Sequence, residues 1–143
     1  DRANSALATV ETNTFDWQTI FKDADWFHWS GVTPALSQTA ADVTLEAIKV
    51  AKSMGVKISC DLNYRSKLWQ YGKSPSEVMP ELLAYSTVIL GDIDTAYFML
   101  GKEKVNPDYT AYVIQLIHLI SALEGFYLTE RNYLHQKVTK YLM

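Results

Sequence analysis

The chain has 143 residues, 48% of them hydrophobic and 20% charged, and its 16 acidic and 13 basic residues give a formal net charge of −3. This composition supports a packed core, and it excludes a disordered chain and the basic surface of a general nucleic-acid-binding protein. Cys60 is the only cysteine, which excludes a disulfide framework and a multi-cysteine zinc site. No apolar stretch approaches the roughly 18 residues of a membrane span. We therefore expect a soluble cytoplasmic domain with no nucleic-acid or membrane partner.

The first residues are small and polar, and we expect residues 1–14 to form an extended lead-in without a signal peptide. The chain begins at Asp1 and not at a methionine, so we interpret it as a processed chain or an internal segment of a longer protein.

Residues 15–101 alternate between helix and strand patterns. Apolar residues at helical spacing, bounded by capping residues, glycine or proline, predict helices at 17–22, 38–54, 75–84 and 93–100. Runs of aromatic and β-branched residues predict strands at 26–29, 56–60 and 87–90, the first of them buried. Asp16 is expected to cap the first helix, and Ser37 or Thr39 the second.

The pattern changes after Asn106-Pro107. Residues 110–123 predict an amphipathic helix, and weaker patterns suggest a strand at 126–129 and a helix at 131–142. The apolar positions of the first of these segments are Val113, Leu116, Ile117, Ile120 and Leu123. No recognised motif lies in this tail.

Successive strands begin about 30 residues apart, which is the length of a βαβ unit. This spacing predicts an α/β fold with a parallel sheet flanked by helices. Ligands of such sheets bind beyond the carboxyl ends of the strands. The turns after the three strands, which begin at Gly31, Asp61 and Gly91, are therefore the places to look for a site.

The middle turn carries the strongest candidates: Asp61, Asn63 and Arg65. In an extended segment alternate side chains point the same way, so these three residues are predicted to converge. Arg65 offers a forked cationic donor that suits a phosphate or a carboxylate. A purely structural alternative is a loop held by an Asp61–Arg65 ion pair with Asn63 in a turn, and the spacing does not decide between the two.

Asp92 and Asp94 follow the third strand. Carboxylates at this position can hold Mg²⁺ directly or through water. They can also cap the next helix and complement its dipole, which is the more frequent role. We therefore assign no metal ligand in the protein.

The remaining residues of chemical interest are interpreted as structural. His118 and His135 lack metal-binding partners at suitable spacing, and Cys60 is expected to be buried and not a nucleophile. Packing roles are also predicted for His28, Met54, Met79, Met99, Trp26, Trp29 and Trp69.

Three stretches resemble the 2-keto-3-deoxygluconate kinases of the ribokinase-like (PfkB) carbohydrate kinases. They are Asp1-Arg2-Ala3-Asn4-Ser5-Ala6, the segment from Trp26 through Gly31-Val32-Thr33-Pro34-Ala35-Leu36-Ser37, and Ser59-Cys60-Asp61-Leu62-Asn63-Tyr64-Arg65-Ser66-Lys67-Leu68-Trp69. The Asp-x-Asn-x-Arg-x-x-Leu-Trp pattern is the most specific of the matches. The resemblance covers about residues 1–105.

The resemblance implies a transferase that moves the γ-phosphate of ATP, with Mg²⁺, to the terminal hydroxyl of a keto-deoxy sugar acid. It places Arg2, Gly31, Asn63 and Arg65 at the substrate, with Arg65 also near the transferred phosphate, and Asp61, Asp92 and Asp94 on the ATP and Mg²⁺ side. It also implies a three-layer ribokinase-like core, here incomplete, with the lid strands and the C-terminal part missing. Residues 1–108 would be the central part of the kinase domain and 109–143 a mostly helical tail.

The sequence departs from the family pattern in two places. The usual Asn-x-x-Glu is replaced by Asp92-Ile93-Asp94-Thr95, and Thr95 lacks the carboxylate that organises Mg²⁺. The Gly-Ala-Gly-Asp motif with the catalytic base is absent, so we expect this partial chain to be inactive alone.

Three hypotheses follow from these observations. The first is a 2-keto-3-deoxygluconate kinase represented by a partial chain. The second is a non-catalytic remnant or binding module of the same fold. The third, ranked last, is an unrelated doubly wound domain. Because cutting a parallel sheet leaves open edges, we also expect a homo-oligomer.

Overall fold

The structure is a computed structural model that describes residues 5–91 and 93–101, so Arg2, Asp92 and the predicted segments at 110–123, 126–129 and 131–142 lie outside the described residues. The elements, in chain order, are a 3₁₀ turn at Ala6–Thr9, α1 at Trp17–Phe21, β1 at Trp26–Ser30, α2 at Gln38–Ser53, β2 at Lys57–Asp61, α3 at Pro75–Leu83, β3 at Val88–Leu90 and α4 at Ile93–Leu100. The helices and strands predicted within 15–101 are confirmed, with each boundary within one residue. The lead-in differs from its prediction because it contains the 3₁₀ turn.

Side-chain caps explain where the first two helices begin. The Asp16 carboxylate accepts a hydrogen bond from the Thr19 backbone N–H at 3.1 Å, as predicted. Of the two candidates for α2, Ser37 is the cap, because its hydroxyl accepts from the Ala40 backbone N–H at 3.0 Å. Each bond satisfies a backbone donor that the first turn of a helix leaves unpaired.

The start of α3 is held by Ser74 and Glu77. One oxygen of the Glu77 carboxylate accepts from the Ser74 backbone N–H at 2.8 Å and from the Ser74 hydroxyl at 2.7 Å. These two bonds favour the ionised carboxylate, and they lower the pKa of Glu77 below its usual value. Pro75 occupies the first turn, where its missing N–H costs nothing.

We expect the stability of the chain to fall on acidification partly through Glu77. Because the pKa of Glu77 is lower in the folded chain than in the unfolded chain, its contribution is present above the unfolded pKa and is lost as pH falls through the folded pKa. Glu77→Gln should therefore show a smaller loss of urea midpoint between pH 7 and pH 3. Ser74→Ala keeps the Glu77 carboxylate and removes one of its two donors. Its loss of urea midpoint between pH 7 and pH 3 should lie between those of the natural chain and Glu77→Gln. An unchanged acid dependence in Glu77→Gln would contradict the assignment.

The three strands form a parallel sheet in the order β1-β2-β3. In its register Trp26 pairs with Lys57, Ser30 with Asp61, and Asp61 with Leu90. All three strands therefore end at the same edge, which is the arrangement predicted from the βαβ spacing.

The helices cover one face of the sheet and form the core there. Ile58, Cys60 and Ile89 point from the strands into this core and are at most 1% exposed. They belong to one apolar cluster with side chains of α2, α3 and α4: Ala47, Ile48, Ala51, Met79, Leu82, Leu83, Ala96 and Met99. Cys60 is thus buried, as predicted, and burial raises its thiol pKa far above the ordinary value.

The other face, here called the open face, carries the alternate strand residues Trp26, His28, Ser30, Lys57, Ser59, Asp61, Val88 and Leu90. Trp26 is 50% exposed and His28 is exposed, so the prediction that the first strand is buried is wrong for alternate residues of β1. A core role was also predicted for Met54, which is exposed after the end of α2. The described residues thus supply the sheet and one helical layer of the predicted three-layer core.

Candidate functional site

Backbone hydrogen bonds join the three strands at their carboxyl ends, and the donors lie in the turns that follow β1 and β2. The Gly31 backbone N–H donates to the Asp61 carbonyl at 2.8 Å, and the Leu62 backbone N–H donates to the Leu90 carbonyl at 2.8 Å. These bonds bring the turns after β1, β2 and β3 into one cluster at the carboxyl edge of the sheet. The candidate residues Gly31, Asp61 and Asn63 are therefore close together, as the parallel topology requires.

Gly31 is needed at this edge because the chain passes too closely for a side chain. A Cβ on Gly31 would lie 2.1 Å from the Leu62 carbonyl oxygen and 2.6 Å from Met99 Cε. The N–H of Gly31 is already used by Asp61. Gly31 therefore contributes room at the strand end and not a donor for a ligand.

Asn63 turns the chain away from the sheet. It has a φ of 39°, in the left-handed region that asparagine tolerates better than most residues. Its side-chain Nδ2 lies 3.5 Å from the Ser30 hydroxyl oxygen at the end of β1. The extended alternation thus ends before Arg65, so the geometric reason for expecting Asp61, Asn63 and Arg65 to converge does not hold beyond Asn63.

Arg65 is exposed and opens a tight turn, in which the Leu68 N–H donates to the Arg65 carbonyl at 3.0 Å. Among the described residues the only salt bridge joins Lys49 to Glu81, at 3.5 Å, so the alternative of an Asp61–Arg65 ion pair is not formed there. The guanidinium also has no hydrogen bond to any described residue. Lys67, which the sequence analysis did not single out, adds a second exposed cation to the same turn.

Two tyrosines, one before and one after Arg65 in the chain, hold the Arg65 loop in place. The Tyr64 ring stacks on Phe98 of α4 with a centroid distance of 4.9 Å and an angle of 10°. The Tyr71 hydroxyl donates to the Pro34 carbonyl at 2.8 Å, which joins this loop to the turn after β1. Burial, and secondarily the negative charges of Asp42 and Glu77, raises the pKa of Tyr71 to about 12, so the donor stays protonated.

Two residues that shape the site, Ser30 and Tyr71, were not predicted from the sequence. Each acts on a residue more than 30 positions away: the partner of Ser30 is Asn63, and the partner of Tyr71 is Pro34. The one signal in the sequence was for Ser30, because it lies at a strand end, where parallel sheets bind ligands.

Of the two acidic candidates after β3, only Asp94 is among the described residues. Asp94 lies exposed in the first turn of α4, which begins directly after Asp92. Within residues 5–91 and 93–101, no three acidic, histidine or cysteine side chains are grouped so that they can hold a metal ion. The two exposed cations of the turn, Arg65 and Lys67, suit an anion. None of the helices in this part of the chain has the length and apolarity to cross a membrane.

No protein-family profile matches the chain. A curated 2-dehydro-3-deoxygalactonokinase from Haloferax volcanii is 43% identical over 77 residues, which are 54% of this chain and 23% of that protein. A fructokinase from Vibrio alginolyticus is 35% identical over 105 residues, which are 73% of this chain and 34% of that protein. The chain thus spans about a third or less of the length of the curated relatives it matches.

The solved structures that the chain resembles are also carbohydrate kinases. The 2-dehydro-3-deoxygluconokinase from Thermotoga maritima aligns with a TM-score of 0.69 and 32% identity, over 82% of this chain and 35% of that one. A PfkB family carbohydrate kinase from Listeria grayi aligns with a TM-score of 0.70 and 26% identity, over 88% of this chain and 38% of that one. The predicted resemblance to 2-keto-3-deoxygluconate kinases and PfkB carbohydrate kinases is confirmed, and the fold is ribokinase-like.

Proposed function

We propose that this chain is part of an ATP-dependent carbohydrate kinase that phosphorylates 2-keto-3-deoxygluconate or a similar sugar acid. The observation that carries the proposal is Arg65, an exposed residue without an ion pair among the described residues, in the loop that follows the carboxyl end of β2. Parallel sheets bind ligands beyond the carboxyl ends of their strands. The matching sequence context, Asp61-x-Asn63-x-Arg65, and the sugar-acid kinases among the relatives support it.

Arg65 suits both chemical groups that such a reaction presents. A sugar acid carries a carboxylate, and phosphoryl transfer develops negative charge that fixed positive groups stabilise. Asn63 and Gly31 shape the same edge, and Arg2 is proposed at the sugar-acid end. The two named sugar-acid relatives differ in the sugar, one being a galactonate and the other a gluconate kinase, so the proposal covers the class of keto-deoxy sugar acids.

ATP and Mg²⁺ are proposed as the co-reactants of the whole kinase, with Asp61, Asp92 and Asp94 on that side. Among the described residues, no three acidic, histidine or cysteine side chains are grouped to hold a metal ion. The catalytic base is proposed to come from outside these 143 residues, since their sequence contains no Gly-Ala-Gly-Asp. The homo-oligomer and the cytoplasmic location expected from the sequence are parts of the same proposal.

A second candidate is a binding module of the same fold without turnover. Thr95 favours it, because this residue stands where the family pattern has glutamate and it has no carboxylate to organise Mg²⁺. Both candidates predict that the sugar acid binds at Arg65, and they differ only in whether phosphate is transferred.

The test measures binding of 2-keto-3-deoxygluconate and its galactonate isomer by calorimetry, and ATP turnover with Mg²⁺. Arg65→Ala is expected to weaken binding by roughly 10- to 100-fold, the range for losing a charged hydrogen-bonding partner. Lys52→Ala is the matched control, because it removes an exposed cation at the end of α2, near the opposite edge of the sheet. Its binding should change less than about twofold.

Equal binding by the natural chain and Arg65→Ala would overturn the site. Binding without turnover would favour the binding module, or a kinase completed by further chain. Turnover that Arg65→Ala removes would make these 143 residues a kinase in themselves.

A further inference from the structure

The Arg65 loop, residues 65–73, connects the turn after β2 to α3 and has an internal backbone structure of its own. The Leu68 N–H donates to the Arg65 carbonyl at 3.0 Å, and the Gln70 N–H donates to the Leu68 carbonyl at 2.8 Å. These two bonds connect the backbone of Arg65 to the residue that precedes Tyr71. A shift of Tyr71 is therefore transmitted along the loop to Arg65.

One side-chain hydrogen bond attaches this loop to the strand ends. The Tyr71 hydroxyl donates to the Pro34 carbonyl at 2.8 Å, and within the described residues no other hydrogen bond joins residues 65–73 to a different segment. The acceptor is well fixed, because Pro34 is fully buried and the turn before it is closed by a bond from the Thr33 N–H to the Ser30 carbonyl at 3.0 Å.

The apolar contacts of the loop leave it less firmly held. Trp69 packs against the core cluster, and its ring centroid lies 5.9 Å from that of Tyr71. The Trp69 Nε1 atom is buried, however, and has no hydrogen-bond partner among the described residues. A buried donor without a partner raises the free energy of the conformation that buries it. The bond from Tyr71 to Pro34 opposes the release of Trp69 and of the loop that carries it.

We propose that Tyr71 is a positioning residue for Arg65, because its hydrogen bond to Pro34 holds the Arg65 loop in the conformation that receives the anion. The inference rests on the proposed function for the identity of that anion, a sugar acid. The holding role itself rests on the contacts of the loop. A loop that is ordered before the ligand arrives loses less conformational entropy on binding, so the bond should increase the affinity of the site.

The first test is limited trypsin digestion of the full chain and of Tyr71→Phe, which keeps the ring and removes only the hydroxyl. The rate of cleavage after Arg65 follows the population of the locally opened loop. Loss of one hydrogen bond should raise that population, and hence the rate, about threefold to tenfold. Cleavage after Lys49, within α2, reports global unfolding in the same digest and should keep its rate. An unchanged rate after Arg65 would overturn the proposal.

Tyr85→Phe is the matched control for the digestion. Tyr85 also packs against the core cluster, and its hydroxyl has no hydrogen bond to a described residue. Cleavage after Arg65 in this variant should therefore proceed as in the natural chain. Equal acceleration in the two variants would overturn the proposal, because the effect would not depend on the bond to Pro34.

The second test is calorimetry with 2-keto-3-deoxygluconate. Tyr71→Phe should bind about threefold more weakly or worse, up to the factor by which cleavage accelerates, since both measurements follow the same opening equilibrium. In the Arg65→Ala background, Tyr71→Phe should change binding further by less than about twofold, because the group that it positions is gone. A purely structural role would weaken binding by the same factor in both backgrounds, and that result would overturn the proposal.

The two tests separate this inference from the proposed function. Equal binding of the sugar acid by the natural chain and Tyr71→Phe would overturn the inference and leave the proposed function standing. Absence of sugar-acid binding in the natural chain would overturn the proposed function. The digestion then decides the role of Tyr71: faster cleavage after Arg65 in Tyr71→Phe alone supports it, and equal rates overturn it.

Discussion

Gly31→Ala is expected to destabilise the chain by about 3 kcal/mol or more, which is the upper range for overpacking a closely packed site. The added Cβ would lie 2.1 Å from the Leu62 carbonyl oxygen. That oxygen cannot move away easily, because the flanking backbone is tied to the turn after β1 by the Gly31–Asp61 hydrogen bond and to β3 by the Leu62–Leu90 hydrogen bond, both 2.8 Å long. The variant must therefore break part of the ladder at the carboxyl edge. Urea unfolding at pH 7 measures the loss.

Gly91→Ala is the matched control for this prediction. Its Cβ would lie 2.8 Å from Leu62 Cδ1, a side-chain atom that can rotate away, so the cost should be clearly smaller. The sugar-acid site proposed at the same edge should be lost with Gly31→Ala and kept with Gly91→Ala. Equal unfolding midpoints for the two variants would show that the Leu62 carbonyl is not held as the structure describes.

The order and type of the elements could be predicted because local signals agree with the fold. Asp16 and Ser37 cap helices in the structure as their positions suggested, and the spacing of apolar residues placed β2 and α2 within one residue. The burial of β1 could not be predicted. Its aromatic run suggested a buried strand, but the exposure of Trp26 depends on what covers the open face. A run of four residues carries no information about which part of the protein packs on each face of the strand.

The candidate site was predictable in its residue types and not in its geometry. Arg65 stands out because a guanidinium at a strand end suits an anion. Its direction depends on Asn63, whose φ of 39° ends the extended alternation, and nothing in the sequence distinguishes this conformation from an ordinary turn. The bond from Tyr71 to Pro34 spans 37 positions, so it follows only from the packed fold.

Leu62→Ala is the second change with a large expected effect. Leu62 is 0% exposed and lies between the turns of β1 and β3, where its side chain packs against Gly91 and the core cluster. A buried Leu→Ala change of this kind costs about 3 to 5 kcal/mol, depending on how far the cavity collapses. We expect the urea midpoint to fall accordingly with an unchanged m-value.

The double variants separate side-chain crowding from backbone crowding at the same residue. Leu62→Ala removes the Cδ1 atom that an alanine at position 91 would meet, so Gly91→Ala should cost less in this background, with a favourable coupling of about 1 kcal/mol. Gly31→Ala should gain no such relief, since its Cβ meets the carbonyl oxygen that Leu62→Ala retains. Similar coupling for both glycines would mean that Gly31 is crowded by side chains alone. In that case the rigid backbone edge, which is the frame for Arg65, would have to be reconsidered.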